Sequence, residues 1–289
     1  MNGFINLLKT PGITSSTAVS IIKKTYNIKK VGHAGTLDPG AAGVLPIMIN
    51  RATRLFDYLQ DESKEYIAEF VFGTDTDTLD MQGSVLAQND AEVTQSALEK
   101  IIPQFIGTIN QRPPKVSAVN INGKKAYKLQ RENAEFEIPE KEVIISSVEL
   151  IRKTAYNSFL LKIGCSKGTY IRSLCRDMAQ MLGTYGYINY LLRTKSSGFS
   201  LENALSVEQL KETPLEQALV PIDTPISHIL RVDIKKKYLA KAKNGLSVPC
   251  EEKMDGITRV YCDGDFIGLG QKIIIDDIQN IKIFKRLTD

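Results

Sequence analysis

The stretch "KKVGHAGTLDPGAAGVLPI", residues 29–47, holds a single carboxylate, Asp38, among four glycines and three alanines. Glycine reaches backbone conformations that other residues avoid, and small side chains let another molecule approach the backbone closely. Pro39 follows the aspartate, lacks an N–H group and favours an extended conformation at Asp38. The stretch therefore predicts a loop that presents one acid, with His33 five residues upstream.

The chain has 289 residues, which is sufficient for one large domain with a buried core and one small domain. Hydrophobic residues make up 43% and charged residues 24%, a composition typical of globular proteins. The apolar runs are short, so the sequence predicts no membrane span. Residues 1–12 lack a signal peptide's basic start and long apolar stretch. We therefore expect a cytoplasmic protein.

The four cysteines form no C-x-x-C motif, and the chain contains two histidines. Zinc sites are built mainly from closely spaced cysteine and histidine pairs, so we expect no metal site. Reduced thiols in a cytoplasm are the simplest interpretation. These cysteines are Cys165, Cys175, Cys250 and Cys262.

The net charge of +4 is unevenly distributed along the chain. Residues 61–100 contain ten acids and two bases, whereas residues 112–131 contain six bases and no acid. Residues 231–243 contain six bases against Asp233 alone. Clustered bases suit a polyanion because phosphate contacts drive nucleic-acid affinity. A solvated surface gives the same pattern, so charge alone leaves both interpretations open.

Hydrophobic periodicity predicts a mixture of helices and strands before residue 230. Apolar residues recur every three or four positions in the predicted helices, which are residues 14–26, 51–60, 91–102 and 168–183. They alternate in the strand "KEYIAEFVF", which places Tyr66, Ala68, Phe70 and Phe72 on one face. Further strands are predicted at 143–151 and 158–164. Because this mixture lacks regular βαβ alternation, it favours an α+β domain at residues 1–229.

The pattern changes near residue 230 and predicts a small, mostly β domain at residues 230–289. A short basic helix at 234–243 ends at Asn244-Gly245. The segment "TRVYCDGDFIGLG" carries an Asp-Gly turn between two strands, and residues 279–286 read as another strand. The change in pattern is consistent with a domain boundary.

The segment "DTDTLD", Asp75 to Asp80, superficially resembles a metal- or phosphate-binding motif. An EF-hand loop requires an acid or Asn at its fifth position and Gly at its sixth, where this chain has Leu79 and Asp80. Leu79 also breaks a phosphoaspartate pattern. The segment is therefore predicted to form a polar turn capped by side-chain oxygens.

His33, Tyr66 and Arg172 are individually weak signals. A lone histidine is more often structural than functional, Tyr66 lies on an apolar strand face, and Arg172 lies off the apolar stripe of its predicted helix. Their occurrence together with the glycine-rich loop is what indicates a site.

This combination resembles the TruB family of tRNA pseudouridine synthases over nearly the whole chain. The segment "GHAGTLDPGAAGVLPI" matches the family's motif around its catalytic aspartate. Further matches are "KEY" at 64–66, "TDTLD" at 76–80, "QRPPKVSAVNINGKKAYKLQRE" at 111–132 and "CSKGTYIRSL" at 165–174. The resemblance implies a mixed-sheet catalytic domain of the pseudouridine synthase type and a C-terminal PUA-like RNA-binding domain. The family's L-R-R-T motif reads Leu191-Leu192-Arg193-Thr194 here, which removes one expected basic contact.

The resemblance also implies an activity, isomerisation of uridine-55 in the T-arm (the TΨC stem-loop) of tRNA, without a cofactor. It implies that Asp38 starts the reaction, either as a nucleophile or by taking a ribose proton, and that Arg172 pairs with it. The target base must be flipped out of the RNA, and Tyr66 would stack on it and help to remove the C5 proton. The implied substrate-binding residues are His33, Lys64, Tyr170 and Leu191. The implied RNA-backbone contacts are Lys115, Lys124, Lys125, Lys128 and Arg193.

Two other functions are conceivable for this sequence. A non-catalytic RNA binder that keeps the fold would not need Asp38, Tyr66 and Arg172 together. A phosphoester hydrolase would need a metal or a second acid near Asp38, and the sequence suggests neither. We therefore expect a tRNA-modifying enzyme that is monomeric and has no obligate protein partner.

Overall fold

A computed structural model describes residues 1–59, 63–132, 134–252 and 254–288. The strands within these ranges are β1 Gly3–Lys9, β2 Val31–His33, β3 Ala42–Ile49, β4 Lys64–Phe72, β5 Thr74–Thr76, β6 Val85–Gln88, β7 Gly107–Gln111, β8 Asn120–Ile121, β9 Lys124–Lys125, β10 Lys141–Ala155, β11 Ser158–Cys165, β12 Gly186–Ser196, β13 Phe199–Ser200, β14 Val220–Pro221, β15 Leu230–Asp233, β16 Val248–Pro249, β17 Ile257–Cys262, β18 Asp265–Ile275 and β19 Ile278–Arg286. The α-helices are α1 Ser15–Thr25, α2 Gln95–Ile101, α3 Ala126–Arg131, α4 Ile171–Met181, α5 Val207–Glu212, α6 Leu215–Ala218 and α7 Leu239–Lys243.

A ten-stranded mixed sheet organises the larger part of the molecule, in the order β14-β1-β3-β12-β4-β11-β10-β7. β2 pairs with β3, and β13 pairs with β12. β12 runs parallel to β3 and antiparallel to β4. This arrangement confirms the predicted α+β class and brings the strand that follows Asp38 and the strand that carries Tyr66 to opposite sides of β12.

Most helices and strands predicted for this domain are present. Thr14 caps α1 by accepting a hydrogen bond from the Thr17 amide. The predicted buried face of β4 is confirmed. α4 buries the predicted apolar residues Ile171, Leu174, Cys175 and Met178, whereas the last residue of that predicted stripe, Leu182, follows the helix and is half-buried. Gly183 adopts a φ of +71° after the helix end.

In two places the structure contains a 3₁₀ helix where the sequence predicts an α-helix. The segment predicted as a helix at 51–60 is a 3₁₀ helix at Asn50–Tyr58, and its predicted last residue, Gln60, lies outside the described residues. Ala52 and Leu55 are the buried residues of this helix, and Leu59, directly after its end, is buried in the same apolar cluster. The basic helix predicted at 234–243 is a 3₁₀ turn at Lys236–Tyr238 followed by α7.

A five-stranded sheet forms the small C-terminal β domain, in the order β15-β17-β18-β19-β16. The predicted Asp263-Gly264 turn joins β17 and β18, and both residues have positive φ values of +51° and +86°. Positive φ at both central positions is the conformation that Asp-Gly hairpin turns favour. This sheet agrees with the small, mostly β domain predicted from residue 230. The division into residues 1–229 and 230–289 remains our proposal, with Asp289 outside the described residues.

Two buried clusters cover the two faces of the large sheet. One packs α1, α2 and α4 against residues such as Ile47 and Phe70. The other joins Phe4 and Met48 of the large sheet to Tyr261 and Leu269 of the C-terminal domain. The C-terminal domain is therefore packed against the large sheet by apolar burial. Among the residues that the structure describes, no helix combines the length and apolarity needed to span a bilayer.

Candidate active site

Asp38 lies in the loop between β2 and β3, with its side chain partly exposed. The side-chain oxygen of Ser15, at the start of α1, accepts a hydrogen bond from the Leu37 amide at 2.9 Å. The same hydroxyl donates to the Leu37 carbonyl at 3.1 Å. The N-terminus of α1 thereby fixes the backbone immediately before the aspartate. The predicted presentation of one acid on a small-residue loop agrees with this geometry.

The buried ammonium group of Lys9 lies beneath this loop. Its Nζ donates hydrogen bonds to the carbonyls of Ala41 at 2.7 Å, Thr10 at 2.9 Å and Pro39 at 3.2 Å. Burial lowers the pKa of Lys9 to about 8, while the Asp38 carboxylate acts in the opposite direction. Sequence analysis missed this residue, because a lone lysine at the end of a strand carries no recognisable motif.

Arg193 of β12 lies on the other side of the loop and is fully buried. Its guanidinium donates to the carbonyls of Val44 at 2.8 Å, Gly35 at 3.1 Å and Thr36 at 3.2 Å. The prediction that Arg193 contacts the RNA backbone is therefore wrong for this structure, because a fully buried guanidinium offers no donor to a phosphate in solvent. The pattern of the L-R-R-T motif did not reveal its inward orientation.

Arg172, in the first turn of α4, forms an ion pair with Asp38. Its Nε lies 2.9 Å from Oδ2 of Asp38, and the arginine side chain is 4% exposed while the aspartate side chain is 38% exposed. The Nε–H has no hydrogen-bond partner among the described residues, so this contact is ionic rather than a directed hydrogen bond. The pairing was predicted from the sequence. Although Arg172 lies off the apolar stripe of its predicted helix, its side chain is buried rather than on the surface.

The "DTDTLD" turn positions the other side of the Arg172 guanidinium. Nη1 donates to the Thr78 carbonyl at 2.8 Å and lies 3.8 Å from Oδ2 of Asp80, while Nη2 donates to the Val116 carbonyl at 3.0 Å. The turn has the polar, side-chain-capped form predicted from the sequence, since Asp80 accepts from the Thr78 hydroxyl at 2.6 Å. Asp80 is a site residue that sequence analysis did not assign, although the "TDTLD" match was a signal for it.

Tyr66 is buried on β4, and its burial raises the pKa of its hydroxyl to about 12. The positive charge of Arg193 acts in the opposite direction and lowers that pKa. Neutral phenol is therefore the stable form near neutral pH. The tyrosine offers an aromatic ring and an uncharged hydroxyl to the site.

A cavity of about 270 Å³ brings most of the predicted site residues together. Asp38, Tyr66 and Arg172 line it, together with the predicted substrate-binding residues Lys64, Tyr170 and Leu191. A larger cavity of about 640 Å³ lies beside Asp77, Arg112 and Arg176 and has no contact with Asp38. The smaller cavity is the better candidate site, because it contains the acid, its paired arginine and an aromatic side chain.

His33 does not line this cavity, although it was predicted to bind substrate. It ends β2, where burial lowers the pKa of its imidazole and the charge of Arg193 acts in the same direction. Its Nδ1 has no hydrogen-bond partner among the described residues. A role for His33 in binding the substrate remains a prediction.

The predicted RNA-backbone lysines are exposed, in contrast to Arg193. Lys115 lies after β7, Lys124 and Lys125 form β9, and Lys128 is on α3. Lys124 forms a surface ion pair with Glu132 at 3.3 Å. The C-terminal basic segment has paired charges too: Arg231 with Asp233, Lys235 with Glu251 and Lys236 with Asp263. In the described parts of the chain, no cluster of histidine, cysteine and acidic side chains has the arrangement of a metal site.

Family models assign the chain to a class of enzymes, the pseudouridylate synthases. The chain matches the family model for the N-terminal domain of the "TruB family pseudouridylate synthase" at residues 23–171. Residues 172–227 match the "tRNA pseudouridylate synthase B C-terminal domain". The chain belongs to the TruB family.

Curated relatives support this assignment over their full length. "tRNA pseudouridine synthase B" of Alkaliphilus oremlandii is 40% identical over 295 residues, which cover 99% of this chain and 98% of the relative. The protein of the same name from Clostridium tetani is 40% identical over 279 residues, covering 94% and 96%.

Solved structures share the fold. In the "Crystal Structure of a Cbf5-Nop10-Gar1 Complex", the matching chain has 27% identity and a TM-score of 0.71, with 94% of this chain and 78% of that chain covered. In the "Structure of H/ACA RNP bound to a substrate RNA containing 2'-deoxyuridine", the values are 23% and 0.74, with 99% and 85% covered. These likenesses confirm the mixed-sheet fold of the pseudouridine synthase type.

Proposed function

We propose that this protein converts uridine-55 in the T-arm of tRNA to pseudouridine, and that Asp38 is essential for this reaction. The observation that carries the proposal is the ion pair of Asp38 with buried Arg172 in a cavity that also contains Tyr66. The similarity to curated relatives named tRNA pseudouridine synthase B supports a tRNA substrate. We propose a monomeric enzyme that acts in the cytoplasm.

The reaction breaks the bond between N1 of uracil and C1′ of ribose, rotates the base and forms a bond from C5 to C1′. The hydrogen on C5 is lost as a proton and N1 gains one, so the atoms and electrons balance without a cofactor. Asp38 either attacks C1′ as a nucleophile or takes a proton from the ribose. Both roles require the carboxylate form of Asp38.

Arg172 would hold the Asp38 carboxylate in one orientation. Its own orientation is determined by the Thr78 and Val116 carbonyls, with the Asp80 carboxylate nearby. A planar guanidinium can contact three such groups at once, which the single ammonium of a lysine cannot do in the same geometry. The aspartate would therefore meet the ribose in a preorganised position.

Tyr66 would contact the flipped uracil, and its hydroxyl would assist removal of the C5 proton. Extruding a base from a folded loop costs a few kcal/mol, which stacking and hydrogen bonds in the pocket offset. Tyr170 and Leu191 would complete the pocket around the base, and Lys64 would contact the substrate at its rim. His33 would occupy the space that the flipped base leaves in the RNA loop.

The exposed basic residues would bind the phosphates of the tRNA stem. Lys115, Lys124, Lys125 and Lys128 belong to an exposed segment that follows β7 and contains no acid between residues 112 and 131. Such contacts recognise the shape of an RNA helix more than its sequence. The C-terminal β domain would add to this surface as a PUA-like RNA-binding domain.

The proposal can be tested with two T-arm stem-loops that carry tritium at C5 of a single uridine. One RNA has the label at uridine-55 and the other at the neighbouring uridine-54. Tritium release from the first RNA alone would support the proposed position, because exchange at C5 accompanies the new bond to C1′. Release from neither RNA, with tight binding of both, would instead support a non-catalytic RNA binder.

A further inference from the structure

Arg193 stands out as the largest side chain that is fully buried. It lies on β12, opposite Gly43 of β3 in the parallel register and opposite Tyr66 of β4 in the antiparallel register. A Cβ atom at Gly43 would lie 2.1 Å from the Arg193 carbonyl oxygen, so only glycine lets β3 come this close to Arg193. The residue therefore links the strand that follows the Asp38 loop to the strand that carries Tyr66.

The three carbonyls that Arg193 binds surround the aspartate in sequence. Gly35 and Thr36 precede Asp38, and Val44 follows it. The same guanidinium therefore binds the chain both before and after Asp38, which holds the two ends of the loop together. Gly35 has a φ of +97°, and this left-handed conformation turns the chain where Arg193 binds it.

Burying this charge is costly, and among the described residues its compensation comes from the three backbone carbonyls rather than from an ion pair. Among the described residues, no carboxylate lies within 4.0 Å of Arg193. A buried charge without an ion pair destabilises a protein unless hydrogen bonds satisfy it, and an apolar residue would fill the same space at lower cost. A function that depends on the guanidinium would explain its presence.

We propose that Arg193 is a positioning residue, which holds the Asp38 loop at a fixed distance from Tyr66. Arg193 does not touch the substrate and acts through the backbone of the loop. This proposal rests on the proposed function, because it assigns Arg193 a part in the chemical step. It replaces the RNA-backbone contact that the sequence predicted for this residue.

The test measures single-turnover tritium release from the stem-loop labelled at uridine-55, with the enzyme in excess. Arg193→Lys and Arg193→Met are compared with the wild type for the maximal rate and for the enzyme concentration that gives half of it. A displacement of about 1 Å in a reacting group can reduce a rate about 100-fold, so we expect a maximal rate at least this much lower for Arg193→Met. We expect Arg193→Lys to retain an intermediate rate, because its ammonium can still reach one carbonyl.

The salt dependence of binding distinguishes positioning from a phosphate contact. If Arg193 bound a phosphate, Arg193→Met would need more enzyme for half the maximal rate, and its slope of log affinity against log salt would decrease by about 1, whereas Arg193→Lys would keep the charge and the slope. An unchanged maximal rate with this smaller slope would overturn the proposal. We expect the slope and the half-saturating concentration to stay at their wild-type values.

Two control variants separate a positioning role of Arg193 from the effects of a lost charge and of lost stability. Lys195→Met removes an exposed charge two residues further along the same strand and should keep the wild-type rate. Ile281→Ala destabilises the apolar cluster inside the C-terminal domain, which contains no residue of the Asp38 loop. A rate loss in Ile281→Ala as large as in Arg193→Met, at the same loss of thermal stability, would show that Arg193 is merely structural.

A variant of the loop itself tests the proposal if the Arg193 variants do not fold. Gly35→Ala retains the guanidinium but disfavours the φ of +97° that presents the Gly35 carbonyl to it. We expect a lower maximal rate in this variant with an unchanged salt slope. A wild-type rate would contradict the proposal. Loss of activity in the wild-type protein itself would instead count against the proposed function and leave the loop geometry unaffected.

Discussion

The positive charges around Asp38 and those of residues 112–131 are made of the same residue types but lie in opposite environments. Lys9, Arg172 and Arg193 are buried and bind backbone carbonyls of the loops they touch. Lys125 and Lys128 extend into solvent. The buried charges can determine geometry, whereas the exposed ones can only attract and orient a polyanion. A count of basic residues along the chain does not distinguish the two.

The buried and the exposed positive charges also differ in their energetic contributions, because only the buried ones lose their hydration. A buried cation costs several kcal/mol of desolvation, which must be offset by well-placed hydrogen bonds. An exposed ion pair such as Lys124 with Glu132 contributes about 0–1 kcal/mol. Substitutions of the buried group should therefore change the chemical step, and substitutions of the exposed group should change RNA affinity.

The largest expected effect is that of Asp38→Asn. The amide cannot act as a nucleophile or base, so turnover should fall by about 10⁴-fold or more, while RNA affinity stays within a few fold. The measurement is tritium release from the labelled stem-loop together with filter binding of the same RNA. Turnover near the wild-type rate would contradict the mechanism.

Tyr66→Phe should have the next largest effect. The substitution keeps an aromatic ring for stacking and removes the hydroxyl, so the chemical rate should fall about 100-fold or more through loss of acid–base assistance. RNA binding should be nearly unchanged. Tyr66→Leu provides the comparison, since it removes the ring as well and should also weaken binding. Equal rates in the wild type and Tyr66→Phe would exclude a role for the hydroxyl.

Replacing Lys124, Lys125 and Lys128 with alanine should weaken RNA binding without changing the maximal rate. Each lost phosphate contact lowers the slope of log affinity against log salt by about 1, so we expect a decrease of about 3 for the three lysines. The measurement is affinity for the stem-loop over a series of salt concentrations. A lower maximal rate with unchanged affinity would reverse the roles assigned to the two groups.

The smallest expected effect is a pH dependence of the free energy of unfolding that is caused by Lys9. Its pKa is lowered to about 8 in the folded protein from 10.5, so the unfolded chain binds more protons between these values. The free energy of unfolding should therefore rise with pH across this window relative to a Lys9→Met variant, by at most about 1.4 kcal/mol per pH unit. Chemical denaturation at pH 7, 8, 9 and 10 measures the difference between the two proteins. A constant difference would mean that Lys9 does not titrate in this window.

Much of the fold follows from local sequence patterns. A few neighbouring residues are sufficient to predict the period-two face of β4, the apolar stripe of α4 and the Asp-Gly turn after β17. The 3₁₀ form of Asn50–Tyr58 was not predictable in this way, because apolar positions three apart fit both helix types.

The candidate site was predictable only in part. Motif resemblance identified Asp38, Tyr66 and Arg172, and the cavity brings them together with Lys64, Tyr170 and Leu191. Three features of the site depend on residues that are far apart in the chain. They are the inward orientation of Arg193, the buried ammonium of Lys9 and the contact of Asp80 with Arg172. Sequence spacing carries no information about such contacts.

The most direct test of the contrast between buried and exposed charge is the single-turnover rate of Arg172→Lys, measured with its RNA affinity. This substitution preserves the charge beside Asp38 but removes the guanidinium that contacts the Thr78 and Val116 carbonyls. We predict a rate lower by about 100-fold, with an unchanged affinity and salt slope. A wild-type rate would contradict this prediction, since it would show that the guanidinium's contacts with the two carbonyls are not needed to position Asp38.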